Sequence, residues 1–458
     1  MKVAEIQMEL KDTDLLSRDQ FGESFKWGVS TAAYQIEGGH DADEKGLSVW
    51  DVFTAKNGSI ANGHNANMAC DFYNRYPQDI ALVKELNIPN LRFSLSWPRI
   101  LPDGTGKINQ KGIDFYNSVI DSCLENGIEP WLTLYHWDLP HELELKGGWT
   151  NRDIISWFAE YTEVCAKNFG DRVKHWMVMN EPMVFTGAGY FLGLHAPGKK
   201  GLPNFLPAAH HAILSMAEGG RVLRSLLPNA EIGTTFSCSY IEPYTASPKD
   251  FAAAKRADAL LNRLFIEPVL GLGYPREDLP VLKKLHKYIK PGDEELMKFD
   301  FDFIGVQNYT REIVKHSIFV PYLNAVLVKA QNRKVPLTAM GWEVFPPSIY
   351  HMLKKYGAYE GIKKIYITEN GAAFPDQPVN GEVKDDDRIK YIHDHLKQVL
   401  NAKNEGVNVQ GYFVWTLLDN FEWAEGYHPR FGLVHVDFDT QQRLIKASGH
   451  WYRSFLQG

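Results

Sequence analysis

The sequence predicts an α/β fold, a (β/α)8 barrel in one domain with long loops on the C-terminal face. Three observations point there. Eight short β-rich apolar runs recur along the chain, amphipathic helical stretches separate them, and many runs finish in polar or aromatic residues. Doubly wound sheets alternate strand and helix in the same way, so alternation alone leaves both architectures open. The polar endings favour the barrel, which keeps its chemistry at the C-terminal ends of its strands. At 458 residues the length alone suggests about three domains, yet α/β barrels run long as one unit. No flexible linker, low-complexity tract or short repeat divides the chain. We read residues 1–20 as an N-terminal extension and 21–458 as the barrel.

The expected strands span residues 26–31, 90–94, 129–135, 175–179, 231–236, 302–306, 364–368 and 410–415. The first leads into Tyr34-Gln35-Ile36-Glu37, and the second contains Arg92. The third runs into His136-Trp137-Asp138, the fourth into Asn180-Glu181-Pro182, and the sixth into Asn308-Tyr309. The seventh delivers Glu369 and then Asn370-Gly371, a strong turn signal. The eighth continues as Trp415-Thr416-Leu417-Leu418-Asp419-Asn420-Phe421-Glu422-Trp423.

Helical punctuation falls between the strands. Asn109-Gln110-Lys111-Gly112-Ile113 opens a helix that stops at Asn126-Gly127. Asp385-Asp386-Asp387-Arg388 precedes Ile389, Ile392, Leu396 and Leu400 at helical spacing. Residues 186–208 and 311–336, rich in Gly, Pro or basic side chains, read as loops after the fourth and sixth strands. They are placed to shape an entrance, and ordinary surface insertions fit equally well. Taken singly, Arg92 reads as a barrel ion pair, His136 as a satisfied core histidine and Trp423 as a packing aromatic. Their convergence on one face is harder to explain structurally, because buried polar groups are costly without partners.

The formal net charge of −7 argues against nucleic acid or an anionic membrane as a partner. No apolar run reaches the roughly 18 residues a membrane span needs, and residues 1–17 show no signal peptide. A cytoplasmic location is the expectation. Cys70, Cys123, Cys165 and Cys238 are widely spaced, without CxxC or a Cys/His cluster, and read as buried thiols in a reducing compartment. Twelve tryptophans suit the flat C–H faces of sugars and equally suit core filling. His210-His211 lies on an expected helix, where neighbours diverge, and reads as structural. No metal-ligand spacing, phosphate loop or dinucleotide fingerprint appears, so neither metal nor cofactor is expected. Composition selects no oligomeric state.

Glu181 and Glu369 repeat one design: an apolar run, a carboxylate, then a residue that stops the strand. Two such glutamates facing each other across a pocket is what glycosidic bond cleavage requires; a pair of strand-terminal ion pairs is the structural alternative. Phe25-Lys26-Trp27-Gly28-Val29-Ser30-Thr31-Ala32-Ala33-Tyr34-Gln35-Ile36-Glu37-Gly38 and Leu134-Tyr135-His136-Trp137-Asp138-Leu139-Pro140 begin a longer series. It continues with Asn180-Glu181-Pro182, Ile367-Thr368-Glu369-Asn370-Gly371, the stretch from Trp415 to Trp423, and Arg430-Phe431-Gly432-Leu433. On these motifs, in this order, the chain resembles glycoside hydrolase family 1, the β-glucosidase family, over about residues 25–455.

The resemblance implies a retaining exo-β-glycosidase acting on terminal β-D-glucosyl residues of β-linked glucosides or oligosaccharides, with β-galactosyl or β-fucosyl tolerance. Glu369 would be the nucleophile, Glu181 the acid/base, and Arg92 and Tyr309 the contacts of the nucleophile. Gln35, His136, Asn180, Glu422 and Trp423 would hydrogen-bond the sugar, with Trp415 as its stacking floor. Trp342 would flank the leaving group, and Phe431 would line the inner pocket or simply fill core. No cofactor is implied. Where the family usually reads Asn-Tyr-Tyr after the sixth strand, this chain has Gln307-Asn308-Tyr309. Two alternatives stay open. One is a 6-phospho-β-glycosidase, disfavoured by Glu422 and the missing Ser/Lys pattern. The other is a catalytically silent glycan-binding relative, disfavoured because both glutamates are kept.

Overall fold

The computed structural model describes residues 16–458; residues 1–15, which hold most of the expected extension, lie outside the described residues. Eight parallel strands close into a barrel in chain order: β1 (Lys26–Ser30), β2 (Asn90–Ser94), β3 (Glu129–Tyr135), β4 (His175–Asn180), β5 (Glu231–Ser237), β6 (Phe303–Gln307), β7 (Ile365–Asn370) and β8 (Val409–Trp415). Each lies within one or two residues of its expected place. The helices Gln110–Glu125 and Asp386–Asn404 also form where their caps predict. The single turn Arg18–Phe21 is fastened to the last helix, Arg18 Nη1 donating to the Leu456 carbonyl at 2.8 Å. Among the described residues no helix is long and apolar enough to cross a membrane.

The barrel interior has two layers. Trp131, Met177, Phe303, Tyr366 and Phe413, from five different strands, form a buried cluster of their own. Edge-to-face packing sets Trp131 4.9 Å from Tyr366 and 4.9 Å from Phe413. Strand glycines make the room: a Cβ on Gly28 would lie 2.3 Å from the Phe413 ring, and one on Gly233 2.3 Å from the Phe303 ring. Above this plug the lining turns polar, with Arg92, Thr133, Asn180, Thr235, Gln307 and Glu369 all buried. Beneath it, at the N-terminal end, opens a surface cavity of about 700 Å³ lined by Lys26, Glu231 and Lys364 among others. Its lysines are paired, Lys26 with Glu129 and Lys364 with Glu231, each at 2.7 Å, which marks a sealed floor.

The two stretches expected to be loops are partly regular. Within 186–208, a wide turn at Gly187–Leu192 is followed by the long helix Leu202–Leu226. Pro203 falls in that helix's first turn, where the missing N–H costs nothing, so proline here marks a helix start. Within 311–336, strands Arg311–His316 and Ala325–Leu327 join Tyr240–Pro243 in a three-stranded rim sheet. Its basic residues decorate a strand whose Ile313 and Val314 are buried. The four cysteines are free and buried. His210 is a structural residue, bonding Tyr274 at 2.7 Å and Asp293 at 2.9 Å, while His211 bonds the Trp149 carbonyl at 2.9 Å.

One buried ionic network fixes the segments after β7 and β8. Arg388 pairs with Asp376 (2.7 Å) and with Asp385, and it also donates to the Ala372 carbonyl at 3.1 Å. Lys446 bridges Asp376 (2.5 Å) and Asp419 (2.6 Å). Asp419 in turn takes Arg430 at 3.0 Å and the Gly432 N–H at 2.9 Å. Three cations meet three anions, so removing one partner leaves buried charge uncompensated. Lys446→Met is therefore expected to destabilise the protein by about 3–5 kcal/mol, read as a lowered midpoint in urea unfolding; an unchanged midpoint contradicts the role given to this network.

Candidate active site

Both strands that carry the glutamates are irregular just before them. The register of β4 on β5 shifts between Met177 and Asn180, and that of β7 on β6 shifts between Ile367 and Glu369. Met177 and Tyr366 already face the interior. Strict alternation would send Asn180 and Glu369 to the opposite face, and the bulges turn them inward. Glu181 follows β4 with φ at 45°, ahead of Pro182, in left-handed backbone that costs of order 1–3 kcal/mol. That bend carries its carboxyl off the strand and over the mouth.

Across the mouth runs one hydrogen-bonded layer. Arg92 Nη1 donates to Glu369 Oε1 at 2.5 Å, Nη2 to Asn180 Oδ1 at 2.5 Å, and Nε to Thr133 Oγ1 at 3.1 Å. Strands β2 and β7 are not neighbours in the sheet, so the first contact spans the lumen. Gln307 Nε2 donates to the same two acceptors, Asn180 Oδ1 at 2.8 Å and Glu369 Oε1 at 2.7 Å. The Tyr309 hydroxyl donates to Glu369 Oε2 at 2.7 Å, and Thr235 Oγ1 to Asn180 Oδ1 at 3.0 Å. With Oδ1 of Asn180 surrounded by donors, its Nδ2 faces His136 Nε2 at 3.1 Å. That nitrogen must accept, which places the His136 proton on Nδ1. Burial and the charge of Arg92 hold His136 neutral.

The two glutamates differ in what surrounds them. Burial pushes the Glu369 carboxyl upward, while the charge and hydrogen bond of Arg92 and the bond from Tyr309 oppose it. Glu181 is equally buried, and repulsion from Glu369 and Glu422 is added, with Arg92 as its one counterweight. Glu181 is consequently raised further, so Glu369 ionises first and Glu181 keeps the last proton. The Tyr309 phenol, raised by burial and then by Glu369, stays a donor.

Beside the pair lies a pocket of aromatic and amide side chains. Gln35 Nε2 reaches the Phe421 carbonyl (2.9 Å), Asn420 Oδ1 (3.1 Å) and Glu422 Oε2 (3.3 Å), leaving its buried Oε1 without a protein partner. Trp423, at a positive φ of 50°, stacks on His136 at 5.8 Å and on Tyr34 at 6.0 Å. Trp415 stacks on His136 at 6.1 Å and belongs to a cluster with Phe431, against which Tyr309 and Trp342 pack. Trp342 lies 5.4 Å from Tyr309 and 6.1 Å from Phe431.

A family model for glycosyl hydrolase family 1 matches residues 17–458. The chain belongs to glycosyl hydrolase family 1. It is 46% identical to a 1,4-β-D-glucan glucohydrolase from Thermotoga neapolitana, with 96% of this chain and 98% of that protein covered. It is 44% identical to β-glucosidase A of Acetivibrio thermocellus, over 96% of this chain and 99% of that one. In structure it resembles the family 1 β-glucosidase of Thermotoga maritima, with a TM-score of 0.92 at 44% identity, covering 95% of this chain and 98% of that chain.

Against this glycosyl hydrolase family 1 frame, the structure brings all twelve sequence-singled residues to the C-terminal mouth of one barrel. Glu181, Glu369, Arg92, Tyr309, Asn180 and His136 share the polar layer. Gln35, Glu422, Trp423, Trp415, Phe431 and Trp342 form the adjoining wall. Sequence reasoning passed over Thr133 and Thr235, and marked Gln307 only as a departure that puts contacts near the acid/base and the leaving group in question. Polar side chains in strands that should be aliphatic were the available signal. Asn308, in place of the usual tyrosine, turns away from the mouth and donates to the Cys238 carbonyl and to Ser348, both at 2.9 Å.

Glu422 is pushed from its ordinary 4.5 to about 8, by burial first and by Glu369 second. The native state thus holds a proton that the unfolded chain releases, and stability is lost as pH rises between 4.5 and about 8. Glu422→Gln removes that loss. Its stability advantage over wild type is expected to open through this window, reach a few kcal/mol and then level, as followed by calorimetric melting against pH. An advantage that is flat with pH contradicts the buried, proton-holding state of Glu422.

Proposed function

We propose that the protein is a retaining exo-β-glycosidase of β-glucosidase type, releasing terminal β-D-glucosyl residues from β-linked glucosides or oligosaccharides. The observation that carries this reading is the asymmetry of the two buried glutamates. Glu369 is held by three donors and ionises first, whereas Glu181 has no side-chain hydrogen bond among the described residues and is kept protonated.

In the first displacement a Glu369 oxygen forms a bond to the anomeric carbon as the glycosidic C–O bond breaks. The electron pair passes to the leaving oxygen, which takes the proton of Glu181. Esterified Glu369 no longer carries charge, so the repulsion that raised Glu181 vanishes and Glu181 becomes the better base. It then removes a proton from water, whose oxygen attacks the same carbon and frees Glu369 as carboxylate. Net retention follows from two inversions. Asn180, His136, Gln35, Glu422 and Trp423 supply the donors and acceptors for sugar hydroxyls, and Trp415 supplies a flat floor. We extend the same pocket to β-galactosyl and β-fucosyl residues. Glu422 is bonded by Gln35 and Trp415 and by no cation among the described residues, which favours unphosphorylated sugar. The four buried free thiols support a cytoplasmic setting.

Turnover of an aryl β-glucoside, with β-glucose as the first product seen by NMR, tests the reading. Glu369→Gln is expected to abolish turnover. Glu181→Gln is expected to lower kcat by about 10²–10⁴ for leaving groups that need a proton, and far less for strongly acidic phenols. Glu369→Gly with azide should yield the inverted α-glucosyl azide. Initial release of α-glucose, or a strong preference for the 6-phosphorylated glucoside, overturns the assignment.

A further inference from the structure

Gln307 stands where the family resemblance expects asparagine, and it closes the layer that holds Glu369. It is the last residue of β6, in register with Glu369 on one side and Ser237 on the other, and it is 1% exposed. Its single amide nitrogen has two hydrogens. One goes to Glu369 Oε1 at 2.7 Å and the other to Asn180 Oδ1 at 2.8 Å. Both neighbours are acceptors there, so the amide has one orientation: reversed, it would set three acceptor oxygens together without a proton among them.

Arg92 bridges the same two oxygens from β2. Glu369 Oε1 and Asn180 Oδ1 are therefore clamped twice, once by a cation and once by a neutral amide. Glu369 Oε1 takes two donors, Arg92 and Gln307, while among the described residues Oε2 takes Tyr309 alone. An asparagine at 307 would end about 1.5 Å short, with one methylene fewer to span the gap between β4 and β7.

We propose that Gln307 is a positioning residue that fixes Glu369 through Oε1, presents Oε2 as the oxygen that attacks, and ties the Glu369 carboxylate to the Asn180 amide beside Glu181. This rests on the hydrolytic reading for its consequence, though not for its geometry. The ionisable groups facing Glu369 are Arg92 from β2, Glu181 after β4, Tyr309 after β6 and Glu422 after β8. Gln307 joins Tyr309 as a neutral donor to Glu369, and because its hydrogen bond is stronger to the ionised carboxylate than to the neutral acid, its loss favours the neutral form.

The test is Gln307→Leu, with Gln307→Met as a second unbranched variant of matching length and Gln307→Asn as the shorter amide. Two readouts are taken on protein whose melting shows it folded. One is the pH profile of kcat/KM on an aryl β-glucoside; the other is direct ¹³C titration of the Glu369 carboxyl, assigned against Glu369→Gln. In Leu and Met variants the acid limb and the titration are expected to move up together by about one pH unit, with kcat reduced about 10- to 100-fold and KM little changed. Asparagine should restore part of both. Lower activity with the limb and titration unmoved means a merely structural residue and overturns the proposal. If the titration moves in the variants while the wild-type protein turns over no glucoside, the hydrolytic reading is refuted and the clamp stands.

Discussion

A carboxyl group and a guanidinium buried against each other inside a barrel are the constraint around which this structure is arranged. Glu369 is 4% exposed and Arg92 is not exposed at all. Burying such a pair costs several kcal/mol per ion unless every remaining donor and acceptor is met. The layer of Asn180, Thr133, Thr235, Gln307 and Tyr309 supplies partners to both ions. The aromatic plug beneath excludes water from below, and the bulges in β4 and β7 aim the side chains inward. Each feature separately weakens a barrel. Together they make a dry, fixed electrostatic environment in which a charge can wait without reorganisation.

The difference between the two glutamates follows from that environment without any difference in residue type. Both are glutamates at strand ends, and both are buried. One is met by a guanidinium, an amide and a phenol; the other stands on a left-handed bend near two other carboxyls. Environment alone sets the two apart in how readily they lose a proton. The bend at Glu181 has a positional reason too. A residue continuing β4 in extended backbone would remain in the sheet, whereas the turn into Pro182 projects the side chain across the opening.

Much of this was legible in the residues. The eight strands were visible as β-branched and aromatic runs, and the strand ends showed polar groups that no barrel core would tolerate without partners. Glu181 and Glu369 were visible through their stops, Pro182 and Gly371. What stayed hidden depends on tertiary geometry. A register shift leaves no mark in composition, so the inward turn of Glu369 was not readable from the alternation of β7. Thr133 and Thr235 looked like ordinary strand threonines. The helix from Leu202 and the rim strand from Arg311 were obscured because proline, glycine and basic residues also mark helix starts and exposed strand faces. Asp376, Arg388 and Lys446 lie far apart in sequence and gave no sign of meeting.

The departure at 307–308 then separates into two unrelated parts. Asn308 turns away from the mouth, its Nδ2 donating to the Cys238 carbonyl and to Ser348, and contributes to how the β5 and β6 ends are held together. Gln307 faces inward and joins the charged layer. The aromatic wall beside Tyr309 is built elsewhere, on the segment that carries Trp342. Glu343, next to it, is held by Arg311 at 2.8 Å and Arg333 at 2.7 Å, and is 3% exposed. That clamp fixes the loop backbone while leaving the Trp342 ring in aromatic contact with Tyr309 and Phe431. The Trp342 wall thus hangs from ion pairs outside the barrel, and the polar layer from one inside it.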